Sequence, residues 1–372
     1  MNQKNLLFGS SETTRETPFH FDLFYKFGHA KHVPRISETF LEWFLGFYEG
    51  DGSIYNAKTA YIKLRFSLQI SQKEKQVISM LEYTFGFGNI SSISKGTNVY
   101  WRWTLESKET IEKIAYLLYG NLVWPNRQNQ YIAWIQAGQK QGLFPNISLS
   151  QLTWPSPKSG ISLQNGWLSG FIDAEGCFYA HLRETINPKT GVICAQLNQK
   201  MTLTQKIDSP DQTEKLIFDQ FLGILDSRSK IRIFSNHHNG ESLYGRVEIG
   251  SLRSQKLVVE YLQIYKLRTQ KYISYRRWWR VWLRRQEKVH LTVKSRKRLY
   301  RLIANINNSD ISLKKNINRK NEMVEDIVHE ISSFLGGNLQ APHCGWDFRY
   351  YCWFIPLMCS STTTFIQRSS YG

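Results

Sequence analysis

The chain has 372 residues, a formal charge of +18 and 41% hydrophobic residues, 14% of all residues being aromatic. That length gives room for two ordinary domains, and that much apolar surface excludes a globally disordered chain. The sign of the charge points to nucleic acid or an anionic surface as partner, and no apolar run is long enough to cross a membrane, Tyr350–Cys359 being about half of what a spanning helix needs.

Residues 1–37 read as an N-terminal extension without a secretory apolar region. The next stretch is Leu41–Tyr48, apolar almost all round, which runs into an acid-Gly-acid-Gly cluster: "FLGFYEGDG" covers Phe44–Gly52. An all-round apolar helix is a buried one. The same segment returns as "LSGFIDAEG" over Leu168–Gly176, without a gap. Gly46 and Gly170 stand at matching positions, and a glycine inside a helix has a packing reason, because it lets two backbones approach. The expectation is two motif helices packed on each other as the seam between two halves. Asp51 and Glu175 would end them side by side. One copy alone reads as polar residues ending a helix. Two aligned copies inside a repeat read as a pair of like charges that needs a cation between them.

The repeat extends downstream. In Tyr61–Ile70, Ile62, Leu64, Phe66, Leu68 and Ile70 share one face of a strand, and Lys63, Arg65, Ser67 and Gln69 the other. Asn98–Leu105 alternates too, with Arg102 on its polar face. In the second copy Leu197, Met201 and Leu203 point inward, and Asn198, Lys200, Thr202 and Thr204 outward. "SQK" (Ser71–Lys73) is answered by "TQK" (Thr204–Lys206), and "RQNQYIAW" (Arg127–Trp134) by "RTQKYISY" (Arg268–Tyr275). The outward faces are rich in cationic and amide side chains and poor in acids, which suits phosphates and base edges; Arg232 and Arg246 in the second copy join this set. Residues 137–164, rich in Gly, Pro and Ser, read as the linker between units at 38–136 and 165–306.

The charge is uneven. Leu252–Arg301 holds sixteen Lys and Arg against two Glu. Within it "YRRWWRVWLRR" reads as an amphipathic helix burying Trp278, Val281 and Trp282, whose solvated face with Arg276, Arg280 and Arg284 would dock on phosphates. The pair His237-His238 reads as a polar hairpin tip rather than a ligand pair. The five cysteines are odd in number and sparse, which argues for a reducing compartment and against a disulfide scaffold; Cys344, Cys352 and Cys359 near His343 lack the paired spacing of a zinc site. Residues 307–372 read as a C-terminal extension of no assigned role.

The two motifs closely resemble those of LAGLIDADG homing endonucleases of the double-motif, single-chain type, and with the repeated polar elements in order the resemblance covers roughly residues 38–306. It implies an α+β fold of two pseudo-symmetric αββαββα units whose saddle-shaped antiparallel sheets straddle DNA. It implies hydrolysis of both strands of a long, asymmetric double-stranded DNA site with Mg2+ or Mn2+, by a monomer encoded in an intron of a mitochondrion or chloroplast. The last acid of each motif maps to the metal ligands Asp51 and Glu175. The preceding residues, Gly50 and Ala174, would lend carbonyl oxygens to the metal. Gln72 and Gln205 map to polar residues that order water. The family's basic residue maps to Lys271, with Gln130 opposite it, so that the first half would lack a cation. The alternative reading is a maturase that binds structured intron RNA and cuts little or not at all. A third is a DNA-binding regulator on the same fold.

Overall fold

Helix α1 (Glu38–Asp51) starts where the Ser37 hydroxyl accepts a hydrogen bond from the Phe40 amide, which satisfies one of the free amides at a helix start. It buries ten consecutive residues, Phe40 to Glu49. A hairpin of β1 (Gly52–Lys58) and β2 (Leu64–Gln72) follows, then α2 (Lys75–Phe85), a second hairpin of β3 (Asn89–Lys95) and β4 (Asn98–Leu105), and the helices α3 (Lys108–Leu118) and α4 (Pro125–Gln139). After the short α5 (Pro157–Gly160) the series repeats: α6 (Trp167–Glu175), β5 (Gly176–Ile186), β6 (Ile193–Ile207), α7 (Gln212–Ile224), β7 (Arg232–Asn236), β8 (Ser242–Ile249), α8 (Leu252–Ile264) and α9 (Lys271–Gln286). Helix α10 (Val293–Ala304) comes last. This computed structural model describes residues 17–58, 64–191, 193–207, 212–236, 242–288 and 293–307. Lys63, His237, His238 and the cysteine-bearing C-terminal extension lie outside the described residues.

Both sheets are antiparallel and wound alike, in the orders β1-β2-β4-β3 and β5-β6-β8-β7. Their registers superpose: Gly52 pairs with Ile70 as Gly176 pairs with Leu203, and Ile70 with Trp103 as Leu203 with Val247. The fold is therefore the α+β pair of repeated units expected from the sequence. Each unit carries one helix more than αββαββα, since α4 follows α3 and α9 follows α8.

The motif helices α1 and α6 form the seam. A Cβ added to Gly46 would lie 1.9 Å from the Trp167 carbonyl oxygen, and one added to Gly170 would lie 1.8 Å from that of Trp43. No side chain fits at either point, so glycine is what permits this approach. Residues 17–37 also join the first unit: Phe19, Phe21 and Phe24 are buried, and the Asn121 side chain bonds both the amide and the carbonyl of His20.

Strand alternation sorts the sheet faces with three departures from the sequence reading. Ser67 and Thr202 are buried at positions expected to face outward. Both side chains are short; Tyr55 stands opposite Ser67 in the ladder, and Glu248 opposite Thr202. Val99 is exposed, although its parity puts it with Trp103 and Leu105. Helix α9 departs from the sequence reading as well. Its Trp278 ring lies against Phe178 on the buried face of β5, and its Nε1 donates to the Lys200 carbonyl. Helix α9 thus covers the face of the second sheet opposite to the one that carries Tyr179, Arg183 and Asn198. Arg276, Arg280 and Arg284 belong to the helix layer and not to the open sheet face.

Candidate active site

Asp51 is the last residue of α1, and Glu175 the last of α6. The two ends touch: a Cβ on Gly50 would lie 2.3 Å from the Ala174 Cβ and 3.2 Å from the Glu175 Cγ. Burial pushes the Asp51 carboxyl up to about 6, against the pull of Lys271, Gln72 and Arg127. Burial pushes Glu175 further, up to about 8, and the Asp51 charge is the next cause. Gln72 Nε2 donates to Asp51 Oδ2 at 2.5 Å. Gln205, at the matching place on β6, is buried, and no equivalent bond joins it to Glu175 among the described residues.

The first acid of each motif has a different task. Glu49 Oε1 accepts from the Val123 and Trp124 amides at 2.7 and 2.6 Å, and its Oε2 accepts from the Trp167 indole across the seam. Asp173 mirrors this: Oδ2 accepts from the Arg268 amide and from the Trp43 indole at 2.8 Å, and Oδ1 from the Thr269 hydroxyl. Each half thus lends an indole to the other half's acid, and each acid fastens its motif helix to the start of α4 or α9. Burial pushes Glu49 up to about 7 and raises Asp173 as well, while these bonds pull both back. Sequence reasoning gave these acids no role. The signal was there: an acid inside an apolar helix, twice, must find partners once buried.

Lys271 reaches the end of α6, its Nζ donating to the Ala174 carbonyl at 2.5 Å and to that of Ile172 at 3.4 Å. At the end of α1 this place is taken by Arg127. Its Nε donates to the Glu49 carbonyl at 2.9 Å and its Nη2 to the Gly50 carbonyl at 3.2 Å. The expectation that the first half lacks a cation is therefore wrong, and the cause is a slip of alignment. Tyr131 donates its hydroxyl to the Ala115 carbonyl of α3, and Tyr275 donates to the Val259 carbonyl of α8. Those two tyrosines are the true pair, and the same spacing sets Arg127 opposite Lys271. Gln130 instead accepts from Arg127 Nη1 at 3.0 Å and so steadies the guanidinium.

The sequence profile of the LAGLIDADG endonuclease family matches residues 44–138 and 168–282. The chain belongs to the LAGLIDADG endonuclease family. It is 26% identical over 271 residues to the probable intron-encoded endonuclease 4 of Neurospora crassa, covering 72% of this chain and 44% of that protein. It is 25% identical over 187 residues to the intron-encoded RNA maturase bI4 of Saccharomyces cerevisiae, covering 47% of this chain and 26% of that protein. The chain therefore spans less than half the length of either relative. Among solved structures, the meganuclease I-SmaMI bound to an uncleaved DNA target in the presence of calcium ions superposes with a TM-score of 0.54 at 18% identity, covering 73% of this chain and 99% of that one. That likeness carries the fold.

The ends of the LAGLIDADG helices offer hard oxygen donors only. No group of three His, Cys, Asp or Glu side chains suited to a metal occurs among the described residues. Two half-buried carboxyls, both raised by burial and Glu175 also by the Asp51 charge, fit a divalent cation, which would relieve that repulsion. The carbonyls of Gly50 and Ala174 already have cationic partners within the protein, Arg127 and Lys271.

On the open sheet faces of this LAGLIDADG protein, Arg65 pairs with Glu106, and Arg102 Nε donates to the Ser71 hydroxyl at 3.0 Å. Lys200 pairs with Glu248 at 2.9 Å. Arg246 Nε donates to Thr204 and its guanidinium lies over the Phe234 ring. Asn198 and Arg232 are exposed, and Gln69 is half-buried. A third carboxylate near the centre also went unassigned in the sequence. Glu74, just after β2, accepts the Gln270 amide at 2.7 Å across the seam, beside Lys271.

Proposed function

We propose that the chain is a site-specific endonuclease that hydrolyses phosphodiester bonds in both strands of a long, asymmetric DNA duplex, using Mg2+ or Mn2+ held by Asp51 and Glu175. The observation that carries this reading is the meeting of the two acids at the touching ends of α1 and α6. When bound, the cation lowers the pKa of a water and offsets charge on the leaving oxygen. Gln72 holds Asp51 in place. Lys271 and Arg127, one at each helix end, stabilise charge that develops on the scissile phosphates. The open sheet faces take up the duplex through Arg65, Arg102, Asn198, Lys200, Arg232 and Arg246. Both motifs lie in one chain, so a monomer suffices. The intron-encoded relatives support intron homing in an organelle as the setting.

The test is Asp51→Asn and Glu175→Gln on a DNA joining the exons of an intron-free host gene. Each substitution removes charge and keeps shape. Cleavage should fall by at least about 10³-fold while duplex binding changes little. Near wild-type cutting by either variant overturns the assignment. Because protons compete at carboxyls raised to about 6 and about 8, metal affinity should climb with pH across that interval and level off above it. A second reading, help in splicing an intron RNA, is favoured by the maturase relative. Tight binding of structured intron RNA by a protein that leaves the DNA uncut would establish it instead.

A further inference from the structure

The two centres are wound alike, yet one has an acid that the other lacks. Glu74 stands two residues after Gln72, and the superposed registers put Ile207 two residues after Gln205. Ile207 is buried and has no charge. The Glu74 carboxylate sits on the Gln270 amide at the start of α9, next to the residue whose ammonium serves the end of α6. The equivalent place in the other half lies between the start of α4 and the end of β6. There a polar pocket opens, lined by Trp124, Asn126, Arg127, Gln130, Gln205 and Lys206. Its lining holds two cations and no acid. Lys73 and Lys206 match in the repeat, as Lys271 and Arg127 do, so the charge that differs is Glu74: one centre has its own anion at the helix start, and the other offers that place to an anion from outside.

We infer that Glu74 makes the two cleavage centres unequal, so that the DNA strand at the Arg127–Lys206 pocket is cut first and the strand at the Lys271 centre second. The inference rests on the endonuclease reading above. The physical cause is simple. A fixed negative charge beside Lys271 offsets the ammonium and repels a phosphate, whereas the pocket attracts one. Opposite signs a few ångströms from a phosphate are enough to separate two otherwise similar rates by about tenfold. Glu74 acts through Lys271 and through the field at the phosphate, so it is a positioning residue and not one that touches the reacting atoms.

The experiment follows each strand separately. A supercoiled plasmid carrying the target is digested with Mg2+, and the nicked and linear forms are measured over time with each strand end-labelled. The wild-type protein should pass through an accumulated nicked form with one preferred strand. Glu74→Gln keeps an oxygen on the Gln270 amide and removes the charge. It should speed the slower strand and shrink the nicked peak by about fivefold. Glu74→Asp keeps the charge and should keep the wild-type strand ratio. A structural role alone would slow both strands together and leave their ratio unchanged, and that result overturns the inference. A second measurement needs no cutting. In EDTA, the dependence of duplex binding on salt should steepen by about one unit of slope in Glu74→Gln, as a further phosphate becomes engaged. An unchanged slope also overturns the inference. If the wild-type protein cuts no DNA with any divalent metal, the endonuclease reading falls, and the slope in EDTA decides the role of Glu74 on its own.

Discussion

The two halves of the molecule agree wherever backbone packing decides and differ wherever only a functional atom has to arrive. At the seam both use glycine, because a Cβ at either Gly46 or Gly170 would fall within 2 Å of a carbonyl oxygen. At the helix ends the chemistry varies. Glu49 reaches its two amides with a longer arm than Asp173, and a guanidinium stands at Gly50 where an ammonium stands at Ala174. A carbonyl accepts from any donor that reaches it, so Arg and Lys can exchange there. A helix contact with no room for a methyl group admits one residue type. The difference teaches which positions are fixed by shape and which by charge.

The strongest way to break the comparison is to fill the seam. Gly46→Ala and Gly170→Ala should each destabilise the protein by about 3 kcal/mol or more, or prevent folding, because backbone must move to relieve the overlap. Gly223→Ala on α7 is the control, since an added Cβ there meets nothing within 4 Å. It should be neutral or stabilising by up to about 1 kcal/mol, as helix propensity predicts. Thermal unfolding of the three variants settles the point. If the seam substitutions behave like the control, α1 and α6 do not approach as described.

The cations sharpen the comparison at the level of chemistry. Arg127→Met and Lys271→Met should each lower the single-turnover cleavage rate by about 10²–10³-fold, the usual loss for one positioned electrostatic donor. Gln130→Met should cost less, because it only steadies Arg127. A large effect at Gln130 with none at Arg127 would restore the pairing drawn from sequence alone.

That slip shows where the sequence stopped being legible. The motif helices could be read, since an apolar run with a glycine and a terminal acid occurs twice. The strands could be read from their alternation: among the described residues Phe66, Leu68 and Ile70 of β2 and Leu197, Met201 and Leu203 of β6 are buried as expected, while Ser67 and Thr202 are buried against expectation. Those two failed because parity sets the face of a side chain and not whether neighbours cover it. The helices α4 and α9 were aligned three residues out because a slip of three or four keeps a helical stripe nearly in phase. Tyr131 can then face Tyr272 as plausibly as Tyr275. Only the hydroxyl bonds to Ala115 and Val259 break the tie. Glu74 was invisible for another reason: its partner Gln270 is 196 residues away, and no local pattern marks a contact of that kind.

The smallest effect belongs to the arginines of α9. Their density in the sequence suggested a phosphate-binding helix. In the structure α9 lies behind the second sheet: Trp278 packs on Phe178, while Tyr179 and Lys200 pair across the opposite, open face. Arg276 is turned onto the rings of Tyr272 and Trp279. Neutralising Arg276, Arg280 and Arg284 together should leave the salt dependence of duplex binding nearly unchanged. Neutralising Arg65, Arg102 and Arg246 on the open faces should flatten it by about two to three units of slope, one for each phosphate that no longer meets a cation. Arg65 tests the claim hardest, because its pairing with Glu106 has to give way when a phosphate arrives. A steep loss of slope in the α9 variant would mean that nucleic acid reaches the helix layer. The open sheet faces would then no longer account for binding by themselves.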